Sequence, residues 1–333
     1  MALGMTTAEL RGYQQICTRG GHMLVVACDQ RGGMRKLLAD TPDAQAAIDD
    51  ATLGAVKAVI VRHLANHAAS VLLDPICAVP RVVEDGDLAR DTGLLIGLDA
   101  SGWDTDPAGY RISRLVPGID ARRVRGLGGT GAKLMVYLRT DRPEANAVNV
   151  GIIRDCVADF AQEDLLLVVE ILTYQLADES DDAYRAAFPE LIVECARMAC
   201  THGSKVLKLP YPGTADACRR ITEICAGRPW AVLSAGVDHE TAAARDGDAV
   251  ARQVLASWAE PMRRAIESLV AVADPRLVLL GGGLGRQMAE ALEAGQGASP
   301  WFACPVAAAT LGDDAGVIGA GLRAFACADR ARA

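Results

Sequence analysis

The feature that most constrains this chain is an alternation. Short, strand-like apolar runs are separated by longer stretches with helical periodicity. The runs are Met23–Cys28, Ser70–Leu73, Gly93–Leu98, Ala132–Leu138, Leu165–Ile171, Lys205–Leu209 and Trp230–Ser234, with an eighth, Leu277–Leu280, much later. Helical patterns cover Asp43–His67, Asn146–Gln162 and Asp182–Thr201. Strand and helix in alternation specify an α/β fold with parallel strands. Polar residues cluster just after the strand ends, which favours a (β/α)8 TIM barrel over an open sheet. In such barrels the carboxyl ends of the strands carry the chemistry.

A length of 333 residues admits one large barrel or two modest domains. With 51% apolar residues the chain can fill a full core. No apolar run reaches the roughly 18 residues of a membrane span, and MALGMTTAELRGYQQ has no charged-then-apolar leader pattern. The expectation is a soluble, cytoplasmic protein with no membrane partner. A net charge of −8 argues against a nucleic-acid partner, which needs a basic face. The ten cysteines never form CxxC, so buried reduced thiols are expected rather than a disulfide or metal framework. His63 and His67, in HLANH, lack the glutamate of a zinc-binding HExxH. No metal and no cofactor are expected.

Lysine is scarce: Lys36, Lys57, Lys133, Lys205 and Lys208 are the only five among 34 basic residues. A lysine inside an apolar strand is therefore unlike the chain's ordinary surface charge, which is arginine. Lys133 lies near the start of strand four, Glu170 ends strand five, and Lys208 lies in strand six. Adjacent strands run about 4.7–4.9 Å apart, so two lysines flanking a carboxylate can share one pocket if all three face inward. That suits imine chemistry. A nucleophilic amine must be neutral, and Lys133 can supply Lys208 with the second positive charge that disfavours protonation. Glu170 can serve as acid or base on a carbinolamine, and Asp29, at the end of strand one, can move protons at substrate hydroxyls. From the spacing alone, a structural ion pair in the barrel interior fits as well. Asp29 fits equally as a cap on the following helix. Lys205 precedes the strand and reads as surface, as does His239. Ser234-Ala235-Gly236 is a small-residue turn whose N–H groups could hold phosphate.

In order along the first 240 residues stand ACDQRGGMRKLL, SVLLDP, TGLLIGLDASGWD, GAKLMVYLRTD, VVEILTY, KVLKLPYPG and WAVLSAGVD. This series resembles the class I tagatose-1,6-bisphosphate aldolases, a family that includes the sulfofructosephosphate aldolases. The resemblance implies a metal-free (β/α)8 barrel. It also implies Schiff-base cleavage of a phosphorylated ketose of the tagatose bisphosphate, fructose bisphosphate or sulfofructose phosphate type to dihydroxyacetone phosphate and an aldehyde. Lys208 matches the imine-forming lysine, and Lys133, Glu170 and Asp29 match its acid/base partners. Gln30, Arg31, Ser234 and Gly236 match positions around the substrate and its phosphate. Such barrels often form dimers or tetramers, which makes a homo-oligomer the expectation. One local departure stands at strand six, where Leu209-Pro210 replaces the family's acidic residue after the lysine.

From about residue 241 the motifs change. RDGDAVARQVLASW, DPRLVLLGGGLG and PVAAATLGDDAGVIGAGLRAF resemble the C-terminal end of the ROK family of sugar kinases and repressors. The expected organisation is an aldolase barrel of seven strands over 1–240, then a ROK-like segment over 241–333. In that segment the helix Ala249–Ala273 and strand Leu277–Leu280 fill the eighth-strand slot, with Gly281–Gly283 as a relic of a nucleotide site. Loss of the family's Gly-Arg phosphate motif is expected to reduce activity. Two alternatives follow: a catalytically impaired sugar-phosphate-binding protein, and a ROK-type kinase relic.

Overall fold

Seven strands form one all-parallel sheet in the computed structural model, which describes residues 4–233 together with the short strands 278–280 and 306–308. Nine strands lie in residues 4–233, seven of them in this sheet: β1 (Val25–Cys28), β2 (Ser70–Leu73), β3 (Gly93–Gly97), β4 (Asp99–Thr105), β5 (Arg111–Leu115), β6 (Gly131–Tyr137), β7 (Leu166–Leu172), β8 (Val206–Leu209) and β9 (Trp230–Val232). The sheet order is β1-β2-β3-β6-β7-β8-β9. Each sheet strand thus neighbours the next sheet strand in sequence, as in a curled barrel arc. The connecting helices are α2 (Gly32–Leu38), α3 (Pro42–Ala47), α4 (Asp50–His63), α5 (Val79–Glu84), α6 (Ala121–Gly126), α7 (Ala147–Gln162), α8 (Asp181–Thr201) and α9 (Ala215–Cys225), and α1 (Thr7–Gln15) precedes them all.

The period of two along each strand sorts its side chains into two layers. Val71, Leu73, Leu94, Ile96, Leu134, Val136, Val169, Ile171, Leu207 and Leu209 face the helices and join them in the main core. Their neighbours Leu72, Leu95, Leu166, Val168 and Val206 form a second cluster inside the arc with Met5 and Ile16. The same alternation turns Lys133, Glu170 and Lys208 inward, above that cluster. Helix α1 closes the arc's amino end. It begins with a capping box between Thr6 and Glu9. It also passes so close beneath the sheet that a Cβ at Gly12 would stand 3.0 Å from the Thr130 carbonyl oxygen and 3.2 Å from Leu166 Cβ.

Several expectations change in detail. The helix expected over Asp43–His67 is two helices. Thr41 and Pro42 start α3, and the Asp49 carboxylate accepts from the Thr52 N–H to start α4. Residues 99–115, with no strong alternation, form an antiparallel hairpin, β4–β5, in which Thr105 faces Arg111 and Asp99 faces Leu115. Lys205 is not a free surface group: its ammonium holds the buried Glu9 carboxylate at 2.6 and 2.7 Å.

The chain divides into two compact units, Met1–Leu233 and Ser234–Ala333. In the second, the strand expected at Leu277–Leu280 is present as β10 (Val278–Leu280), paired in parallel with β11 (Val306–Ala308). Ser234, Gly236, His239, the segment 249–273 expected as a helix, and Gly281–Gly283 lie outside the described residues.

Candidate active site

Register brings the inward polar residues together. Lys133 pairs across to Gly97 on one side and Val168 on the other, while Glu170 stands directly opposite Lys208. Glu170 bridges the two lysines: its Oε1 lies 2.9 Å from Lys208 Nζ and its Oε2 3.2 Å from Lys133 Nζ. Lys133 also meets Asp29 Oδ2 at 2.8 Å and Asp99 Oδ1 at 2.6 Å. Gly97 leaves room for this cluster, since a Cβ there would sit 3.3 Å from Asp29 Cβ and 3.5 Å from its Oδ2. Two ammonium groups and three carboxylates thus occupy the carboxyl end of the arc, with one negative charge in excess.

The two lysines differ in surroundings. Lys133, with a side chain 4% exposed, is ringed by three carboxylates. Burial alone would pull its ammonium down, but Asp29, Asp99 and Glu170 outweigh that and hold it far above the ordinary lysine range. Lys133 is a fixed cation. Lys208, at 25% exposure the most open of the five side chains, has one carboxylate contact. The two lysines flank the shared Glu170 carboxylate, one on each oxygen.

The acids also divide. Burial pushes Asp29 up, but Lys133 and then Lys208 overcome it, and its carboxyl ends below the ordinary range. Asp99 ends above its ordinary value, because burial and its neighbours Asp29 and Glu170 outweigh the pull of Lys133. Asp29 does not cap the following helix. The N-cap of α2 is Arg31, and no side chain caps that end.

Of the remaining sequence candidates, Gln30 and Arg31 are described and follow β1 directly. Gln30 is exposed, with its amide folded over Gly33. Arg31 donates to the Asp99 carbonyl oxygen at 3.3 Å and lies 3.8 Å from Asp74 Oδ1. Asp74 in turn pairs with Lys57, which is fully buried in α4, and accepts from the N–H groups of Ile76 and Cys77. The sequence places Asp74 at the end of the second strand but assigns no role to it, to Asp99 or to Lys57. Asp99 and Asp74 carried a usable signal, an acid directly after an apolar strand, as at Asp29.

Comparison with known proteins adds independent support. A family profile described as "DeoC/LacD family aldolase" matches residues 23–287, a span that runs past residue 240 and through β10. The tagatose 1,6-diphosphate aldolase of Streptococcus agalactiae is 25% identical over 221 residues, 64% of this chain and 66% of that protein, just under two thirds of its length. A second aldolase of that species, tagatose 1,6-diphosphate aldolase 2, is 24% identical over 296 residues, covering 78% of this chain and 88% of the relative. Among solved structures, the fructose-bisphosphate aldolase from Slackia heliotrinireducens superposes with a TM-score of 0.50 at 15% identity, over 70% of each chain. That likeness concerns the fold, which is TIM-barrel-like.

Proposed function

This chain belongs to the DeoC/LacD aldolase family, and on that premise we propose that it is a Schiff-base aldolase that cleaves a phosphorylated ketose to dihydroxyacetone phosphate and an aldehyde. The observation that carries the proposal is the Lys208–Glu170–Lys133 relay at the carboxyl end of the strands. Lys208 is the open amine. Glu170 touches its Nζ, so it can take the proton that must leave before nitrogen attacks the substrate carbonyl. The same carboxyl group can return that proton to the carbinolamine oxygen as water departs and the iminium forms. The fixed charge of Lys133 holds Glu170 and Asp29 in place and favours Asp29 as the carboxylate. Asp29, the acid most strongly held as carboxylate, is suited to accept the hydroxyl proton of the substrate as the carbon–carbon bond breaks, and the iminium takes up the electron pair as an enamine. Protonation of the enamine carbon and hydrolysis of the imine then release dihydroxyacetone phosphate and restore Lys208. The names of the relatives support a bisphosphorylated ketohexose as substrate class. Gln30, Arg31, Ser234 and Gly236 are the proposed contacts to substrate and phosphate, by resemblance.

The test is chemical trapping. Borohydride added to the protein with dihydroxyacetone phosphate should leave a stable adduct on Lys208, located by peptide mass spectrometry and absent from Lys208→Ala. A folded protein that gives no adduct would fit sugar-phosphate binding without catalysis instead. ATP consumption in a coupled assay would support a ROK-type sugar kinase instead.

A further inference from the structure

The hairpin β4–β5 places a cation where the relay has none. Its first residue, Asp99, binds Lys133, and its returning strand begins at Arg111. The Arg111 guanidinium lies over three aromatic rings, 3.8 Å from the centroid of Trp103, 4.7 Å from Tyr174 and 5.2 Å from Tyr137. Those rings pack edge to face, Trp103 on Tyr137 at 5.5 Å and Tyr137 on Tyr174 at 6.1 Å. Among the described residues, no carboxylate pairs with Arg111, whereas Arg31 and Arg114 each have one and Arg139 has two. Stacking uses the faces of a guanidinium and leaves its in-plane N–H groups free for an anion.

The position is also fixed in advance. The Arg111 N–H donates to the Tyr174 hydroxyl at 3.1 Å, and its carbonyl accepts from the Asn149 amide at 2.8 Å. Asn149 holds the end of β6 as well, donating to the Tyr137 carbonyl at 2.7 Å, while Ser113 Oγ accepts from the Tyr137 N–H at 2.9 Å. Tyr137 shares the inward face of β6 with Lys133, four residues nearer the carboxyl end, or about 13 Å at 3.3 Å per residue. In register, Met135 faces Glu170 and Glu170 faces Lys208, so Tyr137 stands two residues above the level of the imine lysine. That is about 7 Å along the strand and two strands, or about 9–10 Å, to the side. Burial pushes the Tyr137 hydroxyl up, and Arg111 is the largest influence pulling it back down.

We propose that Arg111, seated on Trp103, Tyr137 and Tyr174, binds the tetrahedral oxyanion at the end of the substrate remote from the imine carbon. This rests on the aldolase reading and names the residue that selects a phosphorylated aldehyde product over an uncharged one. No motif of the family resemblance includes it.

The test compares acceptors in the condensation direction. With dihydroxyacetone phosphate as donor, kcat/KM is measured for glyceraldehyde 3-phosphate and for glyceraldehyde in the full chain, in Arg111→Leu and in Arg111→Lys. The expected result is that Arg111→Leu lowers the ratio of the two values by about 10- to 100-fold, the size of a lost charge-assisted pair, chiefly through KM, with partial recovery in Arg111→Lys. An equal loss for both aldehydes would make Arg111 a structural staple of the hairpin and overturn the proposal, as would an unchanged ratio. Calorimetric titration of glyceraldehyde 3-phosphate into the wild type and Arg111→Leu needs no imine. If borohydride traps nothing on Lys208 yet this binding depends on Arg111, the aldolase reading fails and the anion subsite stands. If neither binding nor the ratio depends on Arg111, the subsite alone fails.

Discussion

Lys205 and Lys208 lie three residues apart in one segment, and each meets a glutamate, yet they belong to opposite ends of the barrel arc. At the amino end, Lys205 takes both oxygens of Glu9 and fastens α1 beneath an apolar cluster. Glu9 also receives the Thr6 N–H at 2.7 Å, so its hydrogen-bonding capacity goes to holding the helix. At the carboxyl end, Lys208 meets one oxygen of Glu170, whose other oxygen is committed to Lys133. The first pair closes on itself. The second belongs to a network with an open end, and the open end is the amine. A lysine–carboxylate contact alone does not mark a reactive lysine. What separates the two is which layer of the strand the residue occupies, which end of the sheet it faces, and whether its partner is shared.

The sharpest way to break that contrast is to change each lysine to methionine. Lys208→Met is expected to remove the borohydride adduct and to lower turnover by at least about 10³-fold, as for other nucleophile deletions, with little change in folding. Lys205→Met should keep the adduct and lose stability instead, by about 1–3 kcal/mol, because it strips a buried carboxylate of its cation. Denaturant unfolding and peptide-level trapping on both variants read the two outcomes. An adduct that survived in Lys208→Met, or one that moved to Lys205, would erase the distinction.

A second contrast lies within the relay, between Asp29 and Asp99, which grip the same ammonium. Asp29→Asn removes the proposed base and should lower turnover by about 10²–10⁴-fold while leaving imine formation with dihydroxyacetone phosphate detectable. Its stability effect has a defined sign. Because Asp29 is held below its ordinary value, its ionised form stabilises the fold above pH of about 4, and that contribution disappears as pH falls through the lowered value. The melting temperature of Asp29→Asn should therefore fall below wild type at pH 5–7, and the gap should close toward strongly acid pH. A gap that widened on acidification would contradict the Lys133–Asp29 pairing.

How much of this was legible beforehand follows from the physics of each signal. The sheet strands were readable because burial on both faces demands continuous apolar runs, and a lysine or glutamate inside such a run stands out. Lys133, Glu170 and Lys208 were found that way, and the period of two then placed them on one side. Lys205 was misplaced because its partner, Glu9, is 196 positions away, and nothing local announces that α1 will return beneath β8. The hairpin was missed because it stands largely in solvent. Its residues 101–105 are exposed and carry no apolar alternation, so the pattern that betrays a buried strand is absent. Arg111 went unnoticed with it, since its three rings come from β4, β6 and the turn after β7, and only the fold assembles them. The helix break at Ile48–Asp49 was hidden because apolar residues keep a helical spacing across it. The cap at Asp49 was visible only as one more acid in a run of them.

The smallest expected effect tests the third carboxylate. Asp99 ends above its ordinary value, so its charged form is disfavoured in the folded chain. The sign is then opposite to that of Asp29. Ionising Asp99 costs the fold stability as pH rises from its unfolded value of about 3.9 through its raised folded value. Asp99→Asn keeps an oxygen that can accept from Lys133 at the position now 2.6 Å away and removes the excess negative charge. Its melting temperature at pH 7 should equal or exceed that of wild type by up to about 4 °C, the range that about 1 kcal/mol produces in a chain of this size, and the advantage should shrink as pH falls. Turnover should drop far less than in Asp29→Asn, because two carboxylates still hold Lys133. A loss equal to that of Asp29→Asn would mean that Asp99, not Asp29, carries the proton, and the two acids would exchange roles.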